Sequence, residues 1–486
     1  MPAHRSDRSN TPQPPRAAAG GIGLVGLIAI VISSSIGSGV FALSTDISAQ
    51  AAPGPALLAW LITGIGFMAL ARTFGRLSLV RPDLNGIVAY AQEGFGPFAG
   101  FVSGWGYWLS IWIGNVAFGV MLITAIGYFY PPFAGTLTPV GVAVISLLNW
   151  GIVWLVNRGV EGASAVNAIV MACKLVPIFT FIATMMALFD WRLITADFWG
   201  TLAGNLAAAS TSANGLGTIP QQIIGCLVVM MWVFVGMEGA TVLGHRARRK
   251  ADVSRATILG TFALVLIYVA ASILPYGFMT RAQIAALDAP SMVYLFRAAV
   301  GDAGGAFIAA GLIVSILGAW LSYAILASET MQAMAEMQLL PRLFARKNRH
   351  GAPIAGLIAT GTMIQLLTLT MLLAERAYEF AYSLCTVVIM PAWALAAAYM
   401  VVTTLRSRDR TPALLLDAGI ALVSVLFLAA ATLIAGIDML ILSSLAYVPG
   451  FILYAVARRR VALPIMQTKY EYALGVLILL ALISVF

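Results

Sequence analysis

In Ile32-Ser33-Ser34-Ser35-Ile36-Gly37-Ser38-Gly39-Val40-Phe41, two glycines and four serines interrupt the first long apolar segment of the chain. The surrounding residues 17–45 carry no charge and are long enough to cross a bilayer, which takes about 20 apolar residues. Inside a membrane, a helix gives up its regular hydrogen bonds only where the freed peptide groups face protein or a water-filled cavity. The stretch therefore predicts a broken helix that lines a binding site.

A second interrupted segment lies far downstream, at Trp232-Val233-Phe234-Val235-Gly236-Met237-Glu238-Gly239-Ala240, and its span is free of charge up to Glu238. Two helices interrupted by glycine at corresponding positions of two halves are typical of a transporter whose substrate site lies at the membrane midplane. The pair of stretches therefore favours a transporter.

The composition excludes a soluble globular protein. Of the 486 residues, 61% are hydrophobic and only 10% are charged, whereas soluble domains carry about 25% charged residues. The net charge of +9 does not indicate a nucleic-acid partner, because the positive residues lie in short loops and the distribution of charge decides the partner. The chain is predicted to be an all-α polytopic membrane protein, with the lipid bilayer and a small-molecule substrate as its partners.

Neither a metal site nor a cofactor is expected. The cysteines Cys173, Cys226 and Cys385 fall within predicted spans and form no CxxC pair, so they indicate no disulfide framework and no metal centre. No nucleotide-binding motif of the GxxxxGK[ST] type occurs, so transport is expected to be driven by a gradient or by exchange. A membrane enzyme would need convergent catalytic groups at membrane depth, and the predicted spans hold almost no ionisable residues.

Apolar runs predict twelve membrane spans, and residues 472–486 form a further run that is only just long enough to cross and is either a thirteenth span or a surface helix. Residues 280–301 form a long external connection that is expected to hold short helices. The twelve spans are 21–45, 51–71, 97–128, 138–157, 163–187, 219–244, 256–279, 303–328, 352–374, 380–404, 412–435 and 438–457.

The positions of Lys and Arg predict the orientation. Of the 28 such residues, 23 lie on one side of the predicted spans and four on the other, and Lys174 lies inside a span. Because cytoplasmic loops are enriched in Lys and Arg, the N-terminus is predicted to lie in the cytoplasm and the chain to cross the cell membrane many times.

Two lone charges at predicted membrane depth, Glu238 and Lys174, are candidates for proton coupling or pH sensing. An ionisable residue inside the membrane is costly and is by default a functional candidate. Glu238 lies next to the second break, where it could bind and release a proton; its alternative role is a helix cap near the cytoplasmic interface. The ammonium of Lys174 could stand where a related transporter holds a sodium ion, and its alternative is snorkelling towards the interface.

Aromatic and polar residues near the breaks are candidate substrate contacts. Trp232 and Trp320 have small neighbours, so either indole could stack on a flat cation such as guanidinium, although most membrane tryptophans anchor the interface. Asn115 and Ser110 in the third span could face the site or form hydrogen bonds between helices. No carboxylate stands out as a partner for a distal cation, so neutral or aromatic amino acids also remain open as substrates.

Further short strings extend the pattern from the first span to the tenth. These are Pro82-Asp83-Leu84-Asn85, Ala89-Tyr90-Ala91, Gly104-Trp105-Gly106-Tyr107-Trp108-Leu109-Ser110, Lys174-Leu175-Val176-Pro177, Ala196-Asp197-Phe198-Trp199-Gly200 and Ala289-Pro290-Ser291-Met292. With the two breaks, their order and placement resemble the amino acid–polyamine–organocation superfamily, and more closely its basic amino acid/polyamine antiporters of the arginine/ornithine type.

The resemblance implies a LeuT-type fold: two inverted five-helix repeats, with helices 1 and 6 unwound around the substrate. It divides the chain into a cytoplasmic tail (1–20), a ten-helix core (21–404, with repeats 21–187 and 219–404) and C-terminal accessory helices (405–486). The substrate carboxylate would lie on the free N–H groups near Ser38 and Gly39. Its α-amino group would meet carbonyls around Ile36, Trp232 and Val235.

The related arginine/agmatine antiporters imply roles for three side chains. The tryptophan that matches Trp320 stacks on the guanidinium, the one that matches Trp232 is an inner gate, and the glutamate that matches Glu238 responds to protons. This chain departs from them at Lys174, and also at Phe118, which stands where a methionine lines their pocket. The predicted substrate-binding residues are Ile36, Ser38, Gly39, Ser110, Asn115, Phe118, Trp232, Val235, Trp320 and Ser383.

These observations predict a secondary active transporter that exchanges a cationic amino acid, arginine or lysine, for ornithine or a related amine by alternating access. The alternative is a proton-coupled uptake permease with Lys174 as its coupling residue. The oligomeric state stays open, and a homodimer is one option.

Overall fold

The computed structural model describes residues 21–84, 86–159, 163–200, 216–242, 244–408 and 411–483. The predicted N-terminal tail, residues 1–20, lies outside this part. The helices are α1 (Leu24–Ser35), α2 (Gly39–Gln50), α3 (Pro53–Val80), α4 (Gly86–Phe95), α5 (Pro97–Gly127), α6 (Pro139–Asn157), α7 (Ala163–Ala187), α8 (Trp191–Ala196), α9 (Ile219–Trp232), α10 (Gly239–Val242), α11 (Lys250–Ile273), α12 (Arg281–Ala285), α13 (Ser291–Val300), α14 (Asp302–Glu336), α15 (Ile354–Thr370), α16 (Ala377–Arg406), α17 (Pro412–Ile434), α18 (Ile437–Arg460) and α19 (Lys469–Ile483).

Proline in the first turn marks the start of five of these helices. Proline fits there because the first N–H groups of a helix have no intrahelical acceptor and its fixed φ suits the helix. In α6 and α17 the residue before it, Thr138 or Thr411, accepts a backbone hydrogen bond and caps the helix. The other three helices of this kind are α3, α5 and α9.

The polytopic all-helical prediction is confirmed for the described residues. Nine of their helices are long and apolar enough to cross a membrane, or ten if the bent pair α1 and α2 forms one span. The prediction of twelve is therefore met only in part. Span 219–244 is not continuous, because α9 ends at Trp232. The fifth predicted span, 163–187, coincides with α7.

Several predicted spans were shorter than the helices in the structure. The second span, predicted to end at residue 71, continues in α3 to Val80, so Arg72 and Arg76 lie in a helix and not in a loop. The eighth span, predicted as 303–328, continues in α14 to Glu336. Charged residues ended the predicted spans, yet a helix can extend beyond the hydrocarbon into water without changing its backbone. The expected short helices in 280–301 are confirmed as α12 and α13.

Helix α5 forms the centre of the molecule. Of its most apolar window 89% is buried, against 22% for α17 and 17% for α18. It packs chiefly against α16, α14 and α4. The last helices therefore lie at the periphery, where their apolar side chains can face lipid.

An ion-pair cluster attaches α17 to α3. The Asp417 side chain is only 2% exposed and accepts from Arg72 Nη2 at 3.1 Å and from Arg76 Nε at 2.6 Å. A buried carboxylate needs such partners, since leaving it unpaired costs several kcal/mol, on the order of 3–5. The cluster also explains why two arginines recur one helical turn apart in α3.

Candidate functional site

The first break separates α1 from α2 by three residues, Ile36 to Ser38, and bends the pair by 51°. The amide groups of Ser38, Gly39 and Val40 open α2 and have no acceptor within the described part of the chain. Such amides carry the partial positive charge of a helix N-terminus. They form a site of the kind that binds carboxylates and other anions.

The second break runs from Val233 to Glu238, between α9 and α10. At its centre Gly236 has φ +105°, a conformation that favours glycine. A Cβ atom at this residue would lie 2.5 Å from the carbonyl oxygen of Ser34. The two breaks therefore touch, and only a residue without a side chain permits the contact.

Hydroxyl groups satisfy the carbonyls that the breaks leave free. Tyr323 Oη lies between the two breaks, 3.3 Å from the carbonyl oxygen of Ser34 and 3.2 Å from that of Val235, and its single proton can be donated to either of them. Ser34 Oγ lies 2.7 Å from the Gly236 carbonyl oxygen, and Tyr268 donates to Val233 at 2.7 Å. Because unpaired buried peptide groups are costly, these hydroxyls stabilise the unwound backbone.

Aromatic rings pack directly against the glycines of the first break. A Cβ atom on Gly37 would lie 2.5 Å from Phe118, and one on Gly39 would lie 2.8 Å from Trp232 Nε1. The rings of Phe118 and Trp232 are 6.0 Å apart between centroids. The structure thus brings together six of the predicted substrate-binding residues, namely Ile36, Ser38, Gly39, Phe118, Trp232 and Val235.

Trp232 belongs to an aromatic layer with two tyrosines of α16. Its indole Nε1 lies 3.4 Å from the hydroxyl of Tyr378, which is 3.3 Å from Ser38 Oγ. Its ring stacks on Tyr382, at 6.2 Å between centroids and 23° between planes. The sequence analysis missed both tyrosines; their i, i+4 spacing at the start of a span was the available signal.

Trp320 of α14 and Asn115 of α5 are both buried. On α14, Ser315 and Tyr323 face the break and are eight residues apart, whereas Trp320 packs against Gly119 of α5. Trp320 Nε1 and both polar atoms of Asn115 are buried and have no partner in the described residues. Unsatisfied buried groups cost about 1–3 kcal/mol each, so each of these atoms is a candidate for contact with a ligand or water.

Two of the three predicted serines, Ser110 and Ser383, lie outside the breaks. Ser110 is buried and donates to the Tyr107 carbonyl oxygen of its own helix, and its own carbonyl accepts from Cys385. Ser383 lines a separate cavity together with Tyr382. The Ser110 hydroxyl is thus bonded within its own helix, and only its backbone carbonyl takes part in a hydrogen bond between helices.

Lys174 reaches from α7 to the end of α1. Its side chain is buried, and Nζ donates to the carbonyl oxygen of Ser33 at 2.8 Å, with Ser33 Oγ at 3.5 Å. A cation at the C-terminal end of a helix complements the partial negative charge there. Lys174 does not snorkel towards the interface; it holds the last turn of α1 before the break.

Glu238 closes the second break and is completely buried. Its Oε2 accepts from Trp393 Nε1 at 3.3 Å, and Oε1 has no hydrogen-bond partner among the described residues. Its carbonyl oxygen accepts from Thr241 and Val242 in the turn that follows. The carboxylate therefore points into the protein, while the backbone begins α10.

A cavity of about 290 Å³ opens near Glu238 on the side of the arginine-rich loops. Tyr107 lines it and neighbours Glu238 in the interior. The cavity carries both signs of charge, and Arg246 Nη2 lies 3.3 Å from Glu329 Oε1. Its charged lining residues are Arg246, Glu329, Glu336 and Lys347, and Tyr107 connects it to the interior.

Arg81 organises the neighbouring loop between α3 and α4. Its Nη2 donates to Asp83 Oδ2 at 2.7 Å, and this hydrogen bond lowers the pKa of the Asp83 carboxyl below its usual value. The same guanidinium contacts Glu93 of α4 and the hydroxyl of Tyr399 of α16. The Pro82-Asp83 string thus belongs to a charged clamp on the arginine-rich side.

Comparison with known proteins assigns the family. The amino acid permease family profile matches residues 22–457. The chain belongs to this family. The arginine/ornithine antiporter of Latilactobacillus sakei is 45% identical over 95% of both chains, and that of Pseudomonas aeruginosa is 34% identical over 95% of both chains. An arginine/agmatine antiporter of Chlamydia trachomatis serovar L2 is 37% identical over 78% of this chain and 77% of its own length. Membership of the amino acid permease family accords with a transporter built from apolar helices rather than an enzyme.

Proposed function

We propose that this protein is a secondary active transporter that exchanges a cationic amino acid, arginine or lysine, for ornithine or a related amine by alternating access. The carrying observation is the group of open amides at Ser38, Gly39 and Val40, in the middle of a membrane-spanning pair of helices. A carboxylate fits these donors, because a helix N-terminus stabilises negative charge. The relatives named as arginine/ornithine antiporters support the choice of substrate.

The substrate would lie against the first break. Its carboxylate would accept from the three open amides, and its α-amino group would donate to the Ile36 carbonyl, which has no donor among the described residues. The carbonyls of Trp232 and Val235 each already accept one hydrogen bond and keep a second lone pair. Phe118, Trp232 and Trp320 would shape the space for the side chain, and Phe118 must move to admit it, since its ring packs against Gly37.

We further propose a LeuT-type arrangement with repeats at 21–187 and 219–404 and accessory helices at 405–486. Both repeats contain one interrupted helix, in corresponding positions. Rocking of one repeat against the other would open the site to either side of the membrane. The excess of Lys and Arg on one side supports a cytoplasmic N-terminus in the cell membrane.

Proteoliposomes test the proposal. Purified protein is reconstituted with ornithine inside, and uptake of radiolabelled arginine is followed; parallel liposomes are empty, or lack protein. We expect uptake that needs internal ornithine and does not respond to a pH step imposed on empty liposomes. Uptake into empty liposomes driven by the pH step would overturn exchange and favour the proton-coupled alternative with Lys174.

A further inference from the structure

A second cavity, of about 220 Å³, lies at the end of the helices opposite the arginine-rich loops. It is bounded by the last turns of α2, the middle of α9, the start of α16 and the loop between α17 and α18. Its polar lining residues are Asp46, Gln50, Glu379, Tyr382 and Ser383. Two of these are carboxylates, and none of the lining residues is Lys or Arg.

Asp46 is an uncompensated carboxylate in this cavity. Its Oδ2 is sealed from solvent and has no hydrogen-bond partner among the described residues. Glu379 faces it and adds a second negative charge to the same space. Glu379 itself pairs with Arg376 at 3.2 Å, but that arginine side chain is 78% exposed and points to solvent. An opposite charge nearby favours the ionised form of a carboxyl group, so the cavity is suited to a cation that comes from outside the protein.

The aromatic wall of the cavity suits an organic cation. Tyr382 lines the cavity and stacks on Trp232, and the ring face of a tyrosine attracts ammonium and guanidinium groups. No group of three or more His, Cys, Asp or Glu residues that could hold a metal ion occurs in the described residues. The lining therefore matches an alkyl ammonium or guanidinium better than an inorganic ion.

The cavity and the first break share one face of α2. Asp46 is seven residues from Gly39, about 10 Å along the axis and close to two full turns, so both residues point the same way. Gly39 abuts Trp232. The layer of Trp232, Tyr378 and Tyr382 therefore separates the cavity from the open amides. A substrate that moves from this side of the membrane to the break meets the two carboxylates first.

We infer that this cavity is an outer binding site for the positively charged side chain of the substrate, with Asp46 as the main anionic contact and Glu379 as the second. The inference rests on the proposed function and names where that function obtains its preference for cationic amino acids. This outer site binds substrates with a positively charged side chain before the aromatic layer opens. The first break then binds the amino and carboxylate groups that all amino acids share.

The test compares charge variants in arginine–ornithine exchange. Asp46→Asn is expected to raise KM for external arginine about tenfold, and Glu379→Gln about two- to threefold, with the rate at saturation near that of the unmodified protein. Asp46→Glu, which keeps the charge, is expected to retain most of the affinity. The matched control is Glu375→Gln, which removes an exposed carboxylate near the start of α16 and outside the cavity.

Citrulline provides the second readout, because it has the shape of arginine without the charge. We expect Asp46→Asn to leave the inhibition constant of citrulline unchanged. Equal effects on arginine and citrulline, or a KM for arginine within twofold of the unmodified protein, would overturn the outer site. If the unmodified protein itself exchanges no arginine for ornithine, the proposed function fails instead, so the two failures are distinguishable.

Discussion

The two breaks of this protein are built from similar residues, but their backbone groups meet different partners. The first, Ile36 to Ser38, leaves three amide donors open. In the second, Val233 to Glu238, the hydroxyls of Tyr268 and Tyr323 lie within hydrogen-bond distance of the carbonyls of Val233 and Val235. The difference teaches that an unwound helix need not be a ligand site along its whole length. Here the second break supports the first and keeps it in place.

Glycine also serves a different purpose in each break. Gly37 and Gly39 make room for the rings of Phe118 and Trp232, groups that can move when a substrate enters. Gly236 makes room for the backbone of Ser34 and has a positive φ, and neither requirement can be relaxed by a side-chain movement. Replacing the glycine of the second break should therefore reduce exchange more than replacing a glycine of the first.

The largest effect is expected from Gly236→Ala. The strained φ costs roughly 1–3 kcal/mol, and the added Cβ would overlap the Ser34 carbonyl, so we expect arginine–ornithine exchange to fall about 100-fold or more. Initial rates per amount of folded protein in proteoliposomes provide the measurement. Gly151→Ala is the control, since nothing lies within 4 Å of the position of its Cβ. A rate within threefold of the unmodified protein would show that the second break is not rigid.

Trp320→Leu sharpens the comparison at the first break. If the indole of Trp320, whose Nε1 has no partner in the described residues, faces the substrate, its loss should raise KM for arginine about tenfold or more through the missing cation–π contact. Trp154→Leu on α6, whose ring is 55% exposed, should leave KM unchanged. An unaltered KM in Trp320→Leu would remove this tryptophan from the pocket and leave it as packing against Gly119.

Tyr323→Phe tests whether the support of the breaks and the binding of substrate can be affected separately. Loss of the hydroxyl leaves the carbonyls of Ser34 and Val235 without this donor, at a cost of roughly 1–3 kcal/mol in the free energy of unfolding. We expect a lower Tm in detergent and a severalfold slower exchange, with KM for arginine nearly unchanged, because the open amides are untouched. The control is Tyr130→Phe, at an exposed position. A raised KM with an unchanged Tm would instead place the hydroxyl in direct contact with the substrate.

The smallest effect at the optimum pH, but a distinctive one, is expected from Glu238→Gln. The substitution keeps the shape of a buried side chain that receives a hydrogen bond from Trp393 and removes its ability to exchange a proton. The pH profile of exchange should become flatter, as measured in liposomes clamped at a series of pH values. Glu375→Gln, which removes an exposed carboxylate outside the cavity near Glu238, is the control. A profile identical to that of the unmodified protein would reassign Glu238 to a purely structural role at the start of α10.

The sequence alone determined the class of the protein and the position of both breaks. Small and polar residues in the middle of apolar segments are a local signal, because a membrane tolerates free peptide groups only beside protein or water. Ile36 to Ser38 and Trp232 to Gly239 could therefore be found without any knowledge of their neighbours. Span lengths were less predictable, since helices such as α3 and α14 continue past the charged residues that mark the edge of the hydrocarbon.

Only the tertiary structure decided which side chains meet at the site. Tyr323 lies between two breaks that are about 200 residues apart in sequence, and Asp46 shares a cavity with Glu379 of another helix. Whether a tyrosine or an aspartate points to a partner, to lipid or to a cavity depends on the angle at which distant helices pack. No local pattern contains that angle, because it results from the packing of the whole helical core around α5.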